Sequence, residues 1–461
     1  MKDKNSRFAL QQLVVPAVLI AVLFLVFNAL YRETTFLVVV GAGVLLVLRW
    51  PPLGLMFVIL SGLVVPYGLG TGTGTSLNLA ALLLPALVGL WIIEMLARRE
   101  LRLYPSQPIL PLLVLCGAVV LSFIAGTEPW LVYAQTASLR AQLGGLAIFL
   151  LSAAAFLLAG HQLRNILWLR WLVWLFLFLG ALFIIGRLVP QLSHVTSDFF
   201  SSGSSGSLFW VWIAALSISQ AGFNSKLLVP SRFALFGLTL ITLYVAFYQG
   251  GGWTSGWLPA TVAVIATLWI GAPRLGLVAT MVVIALIAVD PPRALGLVLA
   301  GDNLYSLTTR VEAWTILAQI LETSPLIGLG PANYYAYTPL FPIYGYAINF
   351  NSHNNYVDLI AQIGLLGLAC FLWFAFEVGR LALKLRKNGV VDFEKAYVCG
   401  ALGGLVGTLV AGMLGDWVLP FVYNIGFDGF RSSVLGWIFL GGLVAIEQAN
   451  RRLPAEEHEM G

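Results

Sequence analysis

The sequence predicts an all-α polytopic membrane protein, with about 12–14 transmembrane helices and one large extracytoplasmic loop. Three observations predict it. Of 461 residues, 59% are hydrophobic and only 10% charged, which leaves too little polar surface for a water-soluble domain. The apolar residues fall into separate runs of spanning length, bounded by short basic clusters. One interval, 290–352, breaks that rhythm with a long polar and aromatic stretch.

The N-terminal Lys2, Lys4 and Arg7 precede an apolar run to Leu30. It is too long for a cleaved leader and lacks a small-x-small site, so it reads as a retained first span. Further runs follow at 34–48, 53–69, 77–96, 109–125, 141–159, 166–189, 207–224, 232–249, 253–271, 275–289, 354–378, 396–414 and 432–448. With a cytoplasmic N-terminus and strict alternation, only Arg32, Arg140, Arg187, Arg293, Arg310 and Arg431 lie outside. That bias places both termini in the cytoplasm and the long loop outside. The expected organisation is N-terminal spans at 1–289, the loop with short helices at 290–352, C-terminal spans at 353–450 and a cytoplasmic tail at 451–461.

The net charge of +5 does not indicate nucleic acid, because the basic residues sit in the topological clusters. Cys116, Cys370 and Cys399 each lie in an apolar run, against a disulfide framework or thiol metal site. Glu94 is placed to pair with Arg98, one turn on. Thr71–Thr75 lacks the preceding strand and lysine of a nucleotide loop, and 196–207 reads as an outer loop. An arginine near membrane depth needs a partner or a polar cavity. Arg140 and Arg187 fit that reading, and they equally fit snorkelling to headgroups.

Within the loop, Thr309-x-x-Glu312 has the form of a capping box. It predicts a helix from 309 to about Glu322, stopped by Ser324-Pro325. Arg310 would then lie in the first turn, where a docked anion would relieve its conflict with the helix dipole. Trp314, Leu317 and Leu321 share its stripe. The alternative is a surface arginine on an amphipathic helix. His353 opens the next apolar run, capped by Ser352 or Asn351. Near a helix N-terminus its imidazole should be neutral and able to accept a proton. A capping or interfacial histidine is the other reading. The loop aromatics suit sugar faces and interfacial belts alike.

Four elements occur in order: Arg310-x-x-x-Trp314, Pro325-x-x-Gly328-x-Gly330-x-x-x-Tyr334, Ser352-His353-Asn354-x-Tyr356 and Gly364-x-x-Gly367. Together they resemble the signature of the O-antigen ligase and polymerase family of bacterial envelope glycosyltransferases. The resemblance implies a lipid-dependent (GT-C-like) glycosyltransferase fold in the bacterial inner membrane, with an extracytoplasmic site. It implies a glycan donor linked through diphosphate to undecaprenol and a glycan, lipid or protein acceptor. It further implies inverting, metal-independent transfer without a cofactor. By the resemblance, His353 is the base and Arg310 binds diphosphate, helped by Arg187 or Arg140. Asn354, Asn333, Tyr334 and Trp314 complete the expected substrate contacts. Ligase is the first reading and polymerase the second. A non-catalytic transporter or flippase would need charged or broken-helix sites at the bilayer midplane. The chain departs from the family at Gly256, where an arginine commonly stands, and at Gln362, where a glutamate is frequent. The chemistry agrees independently: a lipid diphosphate leaves readily, so anion binding and a base are what the protein must supply. No D-x-D motif for a metal-bound nucleotide sugar occurs.

Overall fold

The computed structural model describes residues 43, 46–65, 68–70, 76–99, 103–131, 133–194, 196, 200–201, 205–249, 253–292, 296 and 304–459. The first expected span, most of the second, the Thr71–Thr75 stretch, Arg293 and much of 196–207 lie outside these. The chain divides into two units, Met1–Gly54 and Leu55–Gly461. Of the first, residues 43 and 46–54 are described, mostly as helix.

The second unit is built from helices. After α1 (Pro52–Val64) comes a two-stranded antiparallel ribbon, β1 (Gly68–Gly70) with β2 (Ser76–Asn78), pairing Leu69 with Leu77. Helices α2 (Leu79–Ala97), α3 (Ile109–Ala125), α4 (Leu139–Gln162) and α5 (Ile166–Leu188) follow. Next are α6 (Ser207–Phe223), α7 (Val229–Tyr244, ending in a π-helical turn at Val245–Gln249), α8 (Thr254–Gly271) and α9 (Pro273–Val289). The loop carries α10 (Leu304–Leu321) and the short α11 (Asn333–Tyr337). The chain closes with α12 (Asn355–Lys387), α13 (Asp392–Leu414) and α14 (Gly426–Glu459). Among the described residues, eight helices are long and apolar enough to cross a membrane, and α1, α3, α6 and α9 are shorter apolar helices. The protein is an integral membrane protein of the all-α class. Each expected run from 53–69 onward corresponds to one helix.

The interior is packed through small residues. On α13, Gly403 and Gly407 face α8, where an added Cβ would lie 2.7 Å from the Ala263 carbonyl or 2.8 Å from that of Pro259. Gly404 abuts the Trp212 ring of α6. Small residues let apolar helices approach to backbone contact, which dispersion then rewards. Helix α14 is central: its most apolar 18-residue window is wholly buried. By contrast, α9 buries only Gly276 and is peripheral. Arg431, expected outside, is buried and donates to the carbonyls of Ser61 (3.3 Å) and Val65 (2.6 Å). It therefore caps the C-terminal end of α1.

Two expectations are corrected. Helix α10 begins at Leu304, five residues before the supposed capping box, because Leu304–Thr308 continue the helix. Arg310 lies in the second turn, so orphan N–H groups of a helix start do not surround it. Helix α12 is broken where the sequence reads as one run: Gly364 has φ 70° and ψ −177°. A break there leaves carbonyls unpaired below it and N–H groups above it. The Pro325–Gly330 strap supplies both. Leu329 and Gly330 N–H donate to the Ala361 and Gln362 carbonyls, each at 3.0 Å. The Pro325 and Leu326 carbonyls accept from Leu365 (2.9 Å) and Leu366 (3.0 Å). A Cβ on Gly328 would lie 2.5 Å from the Gly364 nitrogen, so both motif glycines serve this crossing.

Candidate functional site

The strap and α11 form a base on which the rest of the loop is fixed. Asn333 is fully buried. Its amide donates to the carbonyls of Gly126 (2.7 Å) and Leu329 (2.9 Å), and its oxygen accepts from Ala137 N–H (3.0 Å). Ala332 is left-handed, φ 69°, and its N–H donates to Gln362 Oε1 at 3.2 Å. Helix α10 lays Ala313, Ile316, Leu317 and Ile320 onto this base, in one cluster with Tyr334, Tyr337 and Phe421. The i, i+3, i+4, i+7 spacing of the four gives α10 one apolar face. Tyr334 stacks on Phe421 and Tyr335 on Tyr423, both with centroids 4.6 Å apart.

Behind His353 lies a buried hydroxyl–carboxylate network. Asp358 is 1% exposed, and its Oδ1 accepts from the Tyr334 hydroxyl (2.6 Å) and the Ser352 hydroxyl (2.7 Å). Ser352 Oγ also accepts from Asn354 N–H at 3.0 Å. Asn354, rather than Ser352 or Asn351, caps α12, its side chain accepting from Tyr356 and Val357 N–H. Its amide donates to the Met413 carbonyl at 3.2 Å. His353 sits between these anchored neighbours, exposed, with φ 48°. A left-handed non-glycine residue persists only where its surroundings over-determine it; here Ser352 and Asn354 do. Asp416 adds a second buried carboxylate, accepting from Phe421 N–H (2.8 Å) and the Asn424 amide (2.7 Å). Burial raises its pKa above the ordinary carboxylate range. The Tyr334 hydroxyl is pushed well above 10, first by burial and then by the negative charge of Asp358 beside it.

Trp314 joins the two halves. Its indole N–H donates to the Ser352 carbonyl at 2.8 Å, so α10 is pinned to the residue that precedes His353. Arg310 is half-buried, one turn before Trp314 on the same stripe, about 6 Å along the axis. The loop thus brings Trp314 against the turn that carries His353 and Asn354, with Arg310 one helical turn before Trp314. Asn333 and Tyr334, expected to touch substrate, are fully buried, and their polar groups are engaged as described; both position the loop instead. Arg140 is exposed on the first turn of α4, three residues beyond Ala137 and so at the rim of the same base. Arg187 is exposed in the last turn of α5, with its guanidinium 5.6 Å from the Phe183 ring centroid. Contacts to its own helix hold it, and none of the interactions above links it to His353. At Gly256 any side chain would collide with the Trp253 ring, and Trp253 packs edge-on against Trp417 at 5.2 Å. The place where the resemblance leads one to expect an arginine is therefore occupied by an indole.

Sequence reasoning missed Asp358 and Asp416. For Asp358 the available signal was a lone carboxylate at the head of an apolar run, and for Asp416 one just past the end of another.

Residues 231–372 match the family model described as O-Antigen ligase. This part of the chain is similar to the O-antigen ligase family. The matched segment runs from α7 through the loop to just past Gly367, so it contains the strap, the broken helix and the His353 turn together. Among curated proteins no match was found.

Proposed function

We propose that the protein moves a glycan from an undecaprenyl-diphosphate-linked donor to an acceptor hydroxyl on the outer face of the bacterial inner membrane, as an O-antigen ligase does. The family match supports a membrane enzyme that transfers lipid-linked glycans. The observation that supports the residue assignment is the Trp314–Ser352 hydrogen bond, which ties the helix carrying Arg310 to the residue before the exposed imidazole. In this reading His353 takes the proton from the acceptor hydroxyl as that oxygen attacks the anomeric carbon. The bond to the lipid diphosphate breaks on the opposite face, which inverts the configuration. Arg310, with Arg140 at the rim, stabilises the departing diphosphate. No step requires a metal, because guanidinium groups supply the positive charge.

The test is transfer by purified protein supplied with a lipid-diphosphate glycan and candidate acceptors, products being read by size. His353→Ala and Arg310→Ala each lower transfer at least ~100-fold while melting as the parent does. Transfer by His353→Ala within a few-fold of the parent overturns the assignment. A single product shift identifies a ligase; a ladder identifies a polymerase. Activity abolished by chelator and restored by Mg²⁺ refutes metal independence.

A further inference from the structure

A cavity lies at the other end of the bundle from the loop. It measures about 300 Å³ and lies between α2, α4, α14 and the linkers after α2 and α4. Helix α4 separates the two places: its N-terminal end adjoins Ala137, which bonds Asn333, and His161 lies in its last turn. Its 24 residues span about 36 Å.

The cavity is chemically specified. Arg98 and Arg164 line it together with Glu94, Trp91, His161 and Gln448. Glu94 pairs with Arg98 at 2.7 Å, so the three charges leave one positive charge over. Arg164 Nε donates to the His161 carbonyl at 3.1 Å, which orients its guanidinium. His161 forms a wall and not a ligand: its Nε2 accepts from Tyr104 N–H at 2.8 Å and its Nδ1 donates to the Leu157 carbonyl at 2.7 Å. The Trp91 ring lies against it, 5.0 Å between centroids. Gln448 is only 7% exposed, yet among the described residues its Oε1 has no hydrogen-bond partner. A buried amide oxygen without a donor is rare. Around the helix from its lining residues Trp91, Glu94, Met95 and Arg98, α2 exposes Ile92, Ile93 and Leu96.

We propose that this cavity binds the headgroup of a membrane phospholipid, namely a phosphodiester that also carries a hydroxyl or ammonium donor. The guanidinium groups of Arg98 and Arg164 take the phosphate oxygens. The headgroup's donor satisfies Gln448 Oε1. The acyl chains follow the apolar residues of α2. A free anion would leave both Gln448 and that apolar strip unused. Basic pockets at the ends of spanning helices are suited to such headgroups.

Delipidated full-length protein in detergent, titrated with phosphatidylglycerol, phosphatidylethanolamine, phosphatidylcholine or inorganic phosphate and read by native mass spectrometry, tests this. One tightly held phosphatidylglycerol or phosphatidylethanolamine is expected, with phosphatidylcholine at least tenfold weaker because it lacks a donor. Arg98→Ala combined with Arg164→Ala lowers occupancy at least tenfold. Both side chains are at the surface, so an unchanged melting temperature checks that folding is intact. Gln448→Leu erases the preference over phosphatidylcholine. Unchanged occupancy in the double variant, equal phosphatidylcholine binding by the parent, or displacement of the lipid by millimolar inorganic phosphate overturns the proposal.

Discussion

At the loop end of the bundle, Asp358 and Asp416 are buried and held by hydroxyl, amide and backbone N–H donors. At the opposite end, Glu447 is buried and held by Lys384 (3.1 Å), Arg451 (2.8 Å) and the Ser106 hydroxyl (2.7 Å). The donors at the loop end are short and directional, so they fix the conformation of a turn. The lysine and arginine remain 43% and 51% exposed, and their long chains tolerate movement. Lys384 ties α12 to α14 and Arg451 pairs within α14, neither setting any one geometry. One end is built to hold an exposed imidazole in a left-handed turn, and the other to fasten helices.

The largest expected effect is at the broken helix. Gly364→Ala adds a Cβ against the Leu326 backbone at a φ of 70°, and should cost more than ~3 kcal/mol. Thermal unfolding in detergent measures it; a parent-like melt would mean the strap is not held as described. Next, Asp358→Ala leaves the buried Tyr334 hydroxyl without its acceptor, about 1–3 kcal/mol, and leaves Ser352 only the Asn354 carbonyl at 2.9 Å. It should remove most glycan transfer as the His353 turn loosens. Glu447→Gln should cost only about 1 kcal/mol, because its partners can be solvated, and leave transfer at 25 °C unchanged. The reverse ordering of these two variants in a transfer assay would break the comparison between the ends.

Trp314→Phe keeps the ring and deletes one hydrogen bond, about 1 kcal/mol. Transfer should fall several-fold with little change in melting. Equal transfer would separate α10 from the site. The smallest effect concerns alkaline pH. Tyr334 stays protonated in the folded protein above its ordinary value of 10, whereas the unfolded chain ionises there. Its contribution to stability is therefore complete below pH 10 and lost as pH rises from 10 through the folded value. Tyr334→Phe should flatten that part of the melting-temperature curve between pH 9 and 11.

The helices α1 to α9 and α12 to α14 were legible because lipid imposes a length and a composition on each span, and both are local in sequence. The Arg310-x-x-x-Trp314 stripe and the end of α10 near Glu322 were legible for the same reason: helical periodicity is local. The start of α10 was misplaced because Thr309 and Glu312 carry capping chemistry that a continuing helix overrides. The Gly364 break was invisible because glycine is compatible with helix and with φ 70° alike. Only the partner strand 325–330, distant in sequence, says which one is adopted. Asn333 and Tyr334 looked like ligand-binding residues since polar and aromatic side chains mark both binding surfaces and buried supports.

By itself, the sequence determined how many apolar segments must be satisfied in lipid, where the loop falls, and which residues carry a proton acceptor and a cation. Tertiary structure alone decided that a strap heals the broken helix, that Asp358 holds Ser352 and Tyr334, and that Trp314 reaches the turn before His353. These are pairings between residues as much as 40 positions apart, from Pro325 to Leu365. The first set follows from solvent transfer along the chain, the second from directional hydrogen bonds that exist only once the chain has closed.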